Sequence, residues 1–220
     1  MKRTKQTSKH SQHGFSTLEL TVVMFMSLIM AAIAVPSYIK VASYLRSVGD
    51  LRSLNGVTAQ AKMRAAADFT HARTYVDLNA NTFHLEVWNK AGNCWQTDGD
   101  TANACTAGNS PVVSLSQGVT FGAGGLGVGP TPGTAAVNQA PACRRRVAGV
   151  NGGGTNQNTA CIEFNSRGIP VDATNAPVAT GAIYISDTNS VEAVTVSATG
   201  SIQSWLTGAS CSGQSCWHAQ

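Results

Sequence analysis

Charged residues and catalytic motifs are both sparse in this sequence. Charged residues make up 12% of 220, cysteine is absent before residue 94, and no CxxC pair occurs. No Cys/His spacing typical of a zinc site is present, and no serine or cysteine stands in a recognisable nucleophile motif. These absences argue against a zinc-binding domain and against a hydrolase with a serine or cysteine nucleophile. We predict no catalytic residues, no metal and no cofactor, and we do not expect an enzyme.

The formal net charge of +4 comes from the N-terminal end of the chain. Lys2, Arg3, Lys5 and Lys9 supply the whole excess, because removing residues 1–14 leaves eleven Lys and Arg against eleven Asp and Glu. An excess of positive charge that is confined to a short N-terminal leader is typical of a targeting sequence and not of a nucleic-acid-binding protein. We therefore interpret these residues as a targeting leader.

A long apolar segment follows the leader. Residues 15–39 would form a helix of about 37 Å, enough to cross the hydrocarbon core of a bilayer. A secretory signal is cut after its apolar region, but here the Gly14-Phe15 junction precedes it and no A-x-A-like site clearly follows. We expect a transmembrane helix that stays on the mature protein. The alternative is an ordinary signal anchor in which Glu19 reaches water at the interface.

A set of residues around this segment resembles the N-terminus of a type IV prepilin or pseudopilin. They are Gly14 at the end of a basic leader, Phe15, Glu19 as the fifth residue after the junction, and Pro36 inside the apolar run. The resemblance implies that a prepilin peptidase cuts after Gly14 and methylates the new amine of Phe15. It also implies that Glu19 pairs with the N-terminal amine of a neighbouring subunit, and that the helix kinks at Pro36.

The rest of the chain predicts an α+β fold, a long helix followed by an antiparallel sheet. Apolar residues recur every three or four positions over residues 40–71, so the helix continues as an amphipathic one and ends near Phe69 to His71. Alternating segments on either side of residues 79–81 predict a β-hairpin, and three further β-rich segments follow residue 160. Residues 91–160 are rich in Gly, Ala, Thr and Asn, and we expect long loops there, with PVVSLSQGVTF as the clearest strand-like stretch.

Two C-terminal segments narrow the resemblance to one branch. IEFNSRGIP, with Phe164, Gly168 and Pro170, and VTVSATGSI, which contains Gly200, are similar to GspH/FimT-type minor pilins and pseudopilins. In that branch a long helix packs on an antiparallel sheet. The domains implied are a leader at 1–14, a transmembrane helix at 15–39, its amphipathic continuation at 40–71, a periplasmic β-rich domain at 72–206 and a tail at 207–220.

The resemblance also carries an expectation of function. It implies a minor pilin or pseudopilin subunit of a type II secretion or type IV pilus filament, acting in filament assembly and protein secretion. The protein would cross the bacterial inner membrane once, with its C-terminal domain in the periplasm. Its partners would be other pilins or pseudopilins, the prepilin peptidase and inner-membrane lipid. Physical reasoning does not separate secretion from the pilus, and the GspH-like branch favours secretion by resemblance alone.

All six cysteines lie on the C-terminal side of the apolar segment, which suits disulfides in an oxidising compartment. Six cysteines allow fifteen pairings, and the sequence does not choose among them. Pairing neighbours along the chain gives our prediction, which is Cys94 with Cys105, Cys143 with Cys161, and Cys211 with Cys216.

The densest run of charge after the leader is Arg144, Arg145 and Arg146. An exposed arginine cluster can contact DNA phosphates, so a filament-tip DNA-binding minor pilin for natural transformation is the alternative function. More often such a run is a solvated loop or pairs with acidic residues of a neighbouring subunit. DNA receptors of this branch carry arginines around the glycine of the final strand. Gly200 is followed here by Ser-Ile-Gln, so nucleic acid is not the favoured partner.

Overall fold

The computed structural model describes residues 16–99, 112–127, 129–131, 136–144, 154–172, 174–178, 180–211 and 213–220. The chain divides into two compact units, Met1–Val41 and Ala42–Gln220. The described part of the first unit is the first half of one long helix. The second unit contains the rest of this helix and two antiparallel sheets. This α+β arrangement confirms the predicted fold class.

Helix α1 spans Thr17–Ala67, 51 residues. Its buried residues recur at spacings of three and four, and they are Ser47, Asp50, Leu51, Leu54, Thr58, Ala61 and Ala65. The helix ends in a Schellman motif, in which the Thr70 amide donates to the Ala65 carbonyl at 3.1 Å and the Phe69 amide to the Ala66 carbonyl at 3.4 Å. Because Phe69 takes a φ of 48°, the helix stops short of the predicted end at residues 69–71.

The described residues of the second unit form eleven strands. They are β1 Ala72–Asp77, β2 Thr82–Asn89, β3 Cys94–Thr97, β4 Val113–Ser114, β5 Thr120–Phe121, β6 Thr159–Phe164, β7 Pro170–Val171, β8 Thr180–Ser186, β9 Ser190–Ser197, β10 Ile202–Gly208 and β11 His218–Ala219, with a 3₁₀ turn at Gln214–Cys216. The first sheet has the order β3-β2-β1-β6-β7, with β4 also paired to β2. The second has the order β11-β10-β9-β8-β5.

The predicted β-rich segments are confirmed. Strands β1 and β2 form the hairpin, with Ala72 opposite Val87 and Asp77 opposite Thr82. The three later segments become the β6-β7 pair, β8, and the β9-β10 hairpin. Alternating apolar residues identify these strands because successive side chains of a strand point to opposite faces.

The main core of the second unit lies between the second half of α1 and one face of each sheet. On β1 this face carries Ala72, Thr74 and Val76, and the Thr74 hydroxyl lies 3.3 Å from the Thr58 hydroxyl of α1. Other core members include Leu54, Phe83, Phe164, Ile183, Ile185 and Val194, all fully buried. Burying a large apolar side chain contributes about 1.5–3 kcal/mol. This set therefore outweighs the loss of about 1 kcal/mol each from Gly49 and Gly56, which lie inside α1.

Two predictions about the β-rich part need correction. Residues 91–160 contain strand β3, which the sequence analysis missed, and the stretch PVVSLSQGVTF supplies two short strands, β4 and β5, that belong to different sheets.

Residues 207–220 are not simply a tail. Strand β10 runs through Gly208, β11 pairs with β10, and Trp217 is buried against Tyr184 with ring centroids 6.1 Å apart. Two-residue strands are too short to show an alternating pattern, and aromatic packing fixes the C-terminus.

Candidate functional site

The first half of α1 exposes apolar side chains on all sides. Most of the exposed large hydrophobic side chains in the described part of the chain lie between Leu18 and Leu45. A helix that is apolar all round has no single face to bury against its own protein. This one is long and apolar enough to cross a membrane, in agreement with the predicted single membrane segment.

Glu19 lies in the first turn of this apolar helix. The Ser16 hydroxyl accepts a hydrogen bond from the Leu18 amide at 3.3 Å and caps the helix, which places Glu19 at the third helical position. A carboxylate is favourable there because the helix N-terminus carries partial positive charge. The side chain is exposed, and no hydrogen bond or ion pair joins it to another described residue. Its carboxylate is therefore accessible to a group from outside the chain.

The other predicted residues of this region have mixed outcomes. Gly14 and Phe15, the predicted cleavage and methylation residues, lie outside the described residues. Helix α1 continues through Pro36 without a break. The proline ring removes one backbone donor, and the neighbouring Ser37 hydroxyl donates to the Ile33 carbonyl at 3.2 Å. The kink at Pro36 stays a prediction.

Two of the three predicted disulfides are confirmed. Cys143 is bonded to Cys161, and Cys211 to Cys216. The third predicted pair includes Cys105, which lies outside the described residues. The Cys143–Cys161 bond ties the segment before Arg144 to strand β6, and the Cys143 amide also donates to the Thr159 hydroxyl at 2.9 Å.

A buried ion pair lies on the face of the first sheet that points away from α1. Arg73 of β1 is opposite Glu86 of β2, and their side chains are 0% and 1% exposed. The Arg73 Nε donates to Glu86 Oε2 at 2.7 Å, and its Nη1 donates to the Arg144 carbonyl at 3.0 Å. Burial lowers the pKa of the Arg73 guanidinium, and the Glu86 carboxylate opposes this effect. The Arg73 Cζ lies 4.1 Å from the ring centroid of Trp95.

Arg144, the described member of the arginine run, joins the same network. Its Nη2 donates to Glu163 Oε1, and the Nδ1 of His71 lies 3.0 Å from the same oxygen. Arg145 and Arg146 lie outside the described residues. Because Arg144 is engaged by the protein's own carboxylate, its contact with DNA phosphate would compete with an internal ion pair. DNA binding through this run stays a hypothesis.

Sequence reasoning did not single out Arg73, Glu86 or Glu163, although the signal for two of them was present. A hairpin turning at residues 79–81 places Arg73 directly opposite Glu86, and both occupy the face that alternates with the apolar one. The partner on the other side, Glu163, could not be located in the same way. Strand β6 is 82 positions beyond Asp77 at its start, and only the fold makes it a neighbour of β1.

Another buried carboxylate, that of Glu192, lies between α1 and the second sheet. Glu192 is fully buried, and its Oε1 is 2.7 Å from the Ser190 hydroxyl, which is also 3.1 Å from Asp187 Oδ1. The Ser190 hydroxyl has one proton and can donate it to only one of the two carboxylates. The second short contact becomes favourable when one of the carboxyl groups is itself protonated and donates to the Ser190 oxygen. Burial raises the pKa of Glu192, and the charges of Asp187 and Asp50 add to this effect. We infer that Glu192 keeps its proton to higher pH than an ordinary glutamate.

No group of three or more His, Cys, Asp or Glu side chains within the described ranges could hold a metal ion. Comparison with known proteins gives no match to any family model, any curated protein or any solved structure. The function is therefore inferred from the residues and the geometry described above.

Proposed function

We propose that this protein is a minor pilin or pseudopilin, a subunit that is anchored in the inner membrane by the first half of α1 and assembled through that helix into a filament. The observation that carries the proposal is the position of Glu19, an exposed carboxylate in the first turn of a helix whose first half exposes apolar side chains on all sides. The sequence around it, with Gly14, Phe15 and Pro36, resembles the corresponding region of type IV prepilins.

The proposed role of Glu19 follows from the energetics of charge in hydrocarbon. An ionised carboxylate in a membrane segment costs several kcal/mol unless it finds a partner, so such a residue is a functional candidate by default. The amine created by cleavage before Phe15 is a suitable partner, since it is positively charged and lies at a helix end. Pairing of Glu19 with the amine of an adjacent subunit would fix the axial register between two helices as they leave the bilayer.

The second unit would then present its sheets and loops to neighbouring subunits or to cargo. It has its own core and at least two disulfides, which stabilise a domain working outside the reducing cytoplasm. We favour a filament of the type II secretion class over a type IV pilus, because the segments around Gly168 and Gly200 resemble the GspH/FimT-type branch. The proposed role of Glu19 is the same in both filaments.

The first experiment measures the mature N-terminus by mass spectrometry of the protein purified from membranes. The expected product begins at Phe15 and carries a methyl group on its amine, and both features disappear in cells without prepilin peptidase. A protein that keeps residues 1–14 would contradict the proposal.

The second experiment tests the carboxylate. Glu19→Ala should leave membrane insertion intact and abolish incorporation into sheared or cross-linked filaments, while Glu19→Asp should retain part of it. A matched control is Thr21→Ala, which changes a nearby polar residue whose hydroxyl is already bonded to the Leu18 carbonyl at 2.8 Å. Normal assembly of Glu19→Ala, scored together with secretion, twitching and transformation, would rule out the proposed mechanism.

A further inference from the structure

A groove lies on the second unit, between the exposed flank of α1 and two turns of the sheets. The turns are those that join β6 to β7 and β9 to β10, and they supply Arg167 and Ser201 to its lining. The helix supplies Lys62 and Met63. The groove has a volume of about 500 Å³, within the range of about 300–1,000 Å³ that is typical of ligand sites. It is therefore large enough to take several side chains of a partner.

Most of the surface that lines the groove is apolar. The lining includes Ala59, Ala66 and Ile202, and the Met63 side chain beside them is 62% exposed. A single exposed apolar side chain is ordinary, but one that borders a concave apolar surface is typical of a binding groove. Apolar side chains of a partner would remove this surface from water.

Two cations, Lys62 and Arg167, border this apolar surface. The stem of Lys62 packs on Gly168, since a β-carbon at Gly168 would lie 3.0 Å from the Lys62 Cε. The Lys62 ammonium donates to the Gly200 carbonyl at 2.8 Å. An ammonium has three protons to donate, so this bond leaves protons for a ligand. The positive charge is therefore held in the groove before any ligand arrives.

Neither cation has a counter-ion in the part of the chain that the structure describes. The basic side chains that form ion pairs there are Arg64, Arg73, Arg144, His71 and His84. No described carboxylate lines the groove, and Lys62 is half-buried while Arg167 is exposed. A cation that is partly removed from water and has no counter-ion favours an anionic ligand, because a charge-assisted hydrogen bond is roughly twice as strong as a neutral one.

We propose that this groove binds a segment of another protein in which an acidic side chain stands beside apolar ones. The carboxylate would pair with Lys62 and Arg167, and the apolar side chains would cover Met63. Nucleic acid fits the groove less well, because a phosphate backbone has no apolar side chains and its binding commonly uses about 6–10 phosphate contacts. The site uses the second unit alone, so it does not depend on the proposed role of Glu19. Neighbouring subunits and cargo are the proteins that could carry such a segment.

The ligand class is tested on the full chain in a neutral detergent by fluorescence anisotropy. The probe is a dansyl-labelled peptide in which Glu and Leu alternate, and its control is the same peptide with Gln in place of Glu. The Glu peptide should bind at least about tenfold more tightly than the Gln peptide, and its affinity should fall as salt is added. Equal affinity of the two peptides, or no binding of the Glu peptide, would overturn the proposal.

The two cations are tested by substitution. Arg167→Ala should weaken binding of the Glu peptide about tenfold and leave that of the Gln peptide unchanged. Lys62→Met should act in the same direction with a Tm close to that of the parent, because methionine keeps an apolar stem against Gly168. Arg52→Ala is the matched control, since Arg52 is an exposed cation of α1 that does not line the groove. An equal loss with Arg52→Ala, or full binding by Arg167→Ala, would refute the site.

Two further measurements separate this site from other modes of binding. Glu19→Ala should bind the Glu peptide as the parent does, so failure of the filament proposal and failure of the groove are distinguishable. Met63→Ser should weaken binding of both peptides, because both use the apolar surface. An unlabelled DNA duplex should not displace the Glu peptide at the same salt concentration. Displacement by DNA that is lost in Arg167→Ala would make the groove a nucleic-acid site and contradict the proposal.

Discussion

Gly200 is packed directly against the backbone of Gly168. A β-carbon at Gly200 would lie 2.2 Å from the Gly168 carbonyl oxygen, closer than any real contact allows. The two glycines have φ values of 77° and 71° and belong to the turns that join β9 to β10 and β6 to β7. The Lys62 ammonium of α1 donates to the Gly200 carbonyl at 2.8 Å. The helix and the turns of both sheets therefore meet at one point.

Gly200→Ala should destabilise the protein by about 2–4 kcal/mol, because the new methyl group meets backbone and the residue must keep a positive φ. The measurement is the free energy of unfolding in urea. Gly49→Ala and Gly56→Ala are matched controls, since a β-carbon at either helical position meets nothing within 4 Å. Each control substitution should raise the free energy of unfolding by roughly 0.5–1 kcal/mol. A loss of stability below about 1 kcal/mol for Gly200→Ala would show that the turns move apart easily.

Glu86→Gln should lower the free energy of unfolding by about 3–5 kcal/mol, because it removes the negative charge that is paired with the buried Arg73 guanidinium. The double variant Arg73→Met with Glu86→Leu should recover most of this loss, since it removes both charges and keeps similar volume. Urea unfolding of Arg73→Met, of Glu86→Leu and of the double variant gives the coupling energy. Additive single effects would mean that the two side chains do not depend on each other.

Stability should fall as the pH rises above 4.5, the ordinary pKa of a glutamate, because of Glu192. Its raised pKa means that the folded state keeps a proton which the unfolded chain has already lost, so rising pH favours unfolding until the folded carboxyl also ionises. Glu192→Gln should match the native Tm in acid and exceed it at neutral pH. Thermal unfolding at several pH values checks this, and a constant difference between the two proteins would argue against a protonated Glu192.

The two disulfides between described residues should contribute unequally to stability. Cys143 and Cys161 are 18 positions apart, whereas Cys211 and Cys216 are 5 apart. On the chain-entropy account, closing these loops restricts the unfolded chain by about 3 and about 2 kcal/mol respectively. Paired Cys→Ala variants measured by urea unfolding should show this order. The Cys143–Cys161 bond should stabilise the folded state further, because it ties the segment before Arg144 to β6. A larger loss of stability without Cys211–Cys216 than without Cys143–Cys161 would exclude the chain-entropy account.

The confirmed predictions all rest on patterns that are local in the sequence. The hairpin of β1 and β2 was predicted because the alternating apolar residues of both strands and the turn between them lie within about twenty residues of the chain. The errors arose at strands that are too short to show an alternating pattern. Strand β3 was missed because CWQT is too short to alternate visibly, and it exists because Cys94 and Trp95 are buried against β2. The β11 strand was missed for the same reason, since only its pairing with β10 defines it.

The sequence alone determined the long helix, its apolar first half and the place of Glu19 in it, because helix periodicity and continuous hydrophobicity are properties of neighbouring residues. It also determined most of the strands. The tertiary structure decided which charges from distant strands lie side by side, as with Arg73 and Glu163, and which glycines touch, as with Gly168 and Gly200. These contacts join residues that are tens of positions apart, so they exist only once the two sheets and the helix have packed around a common core.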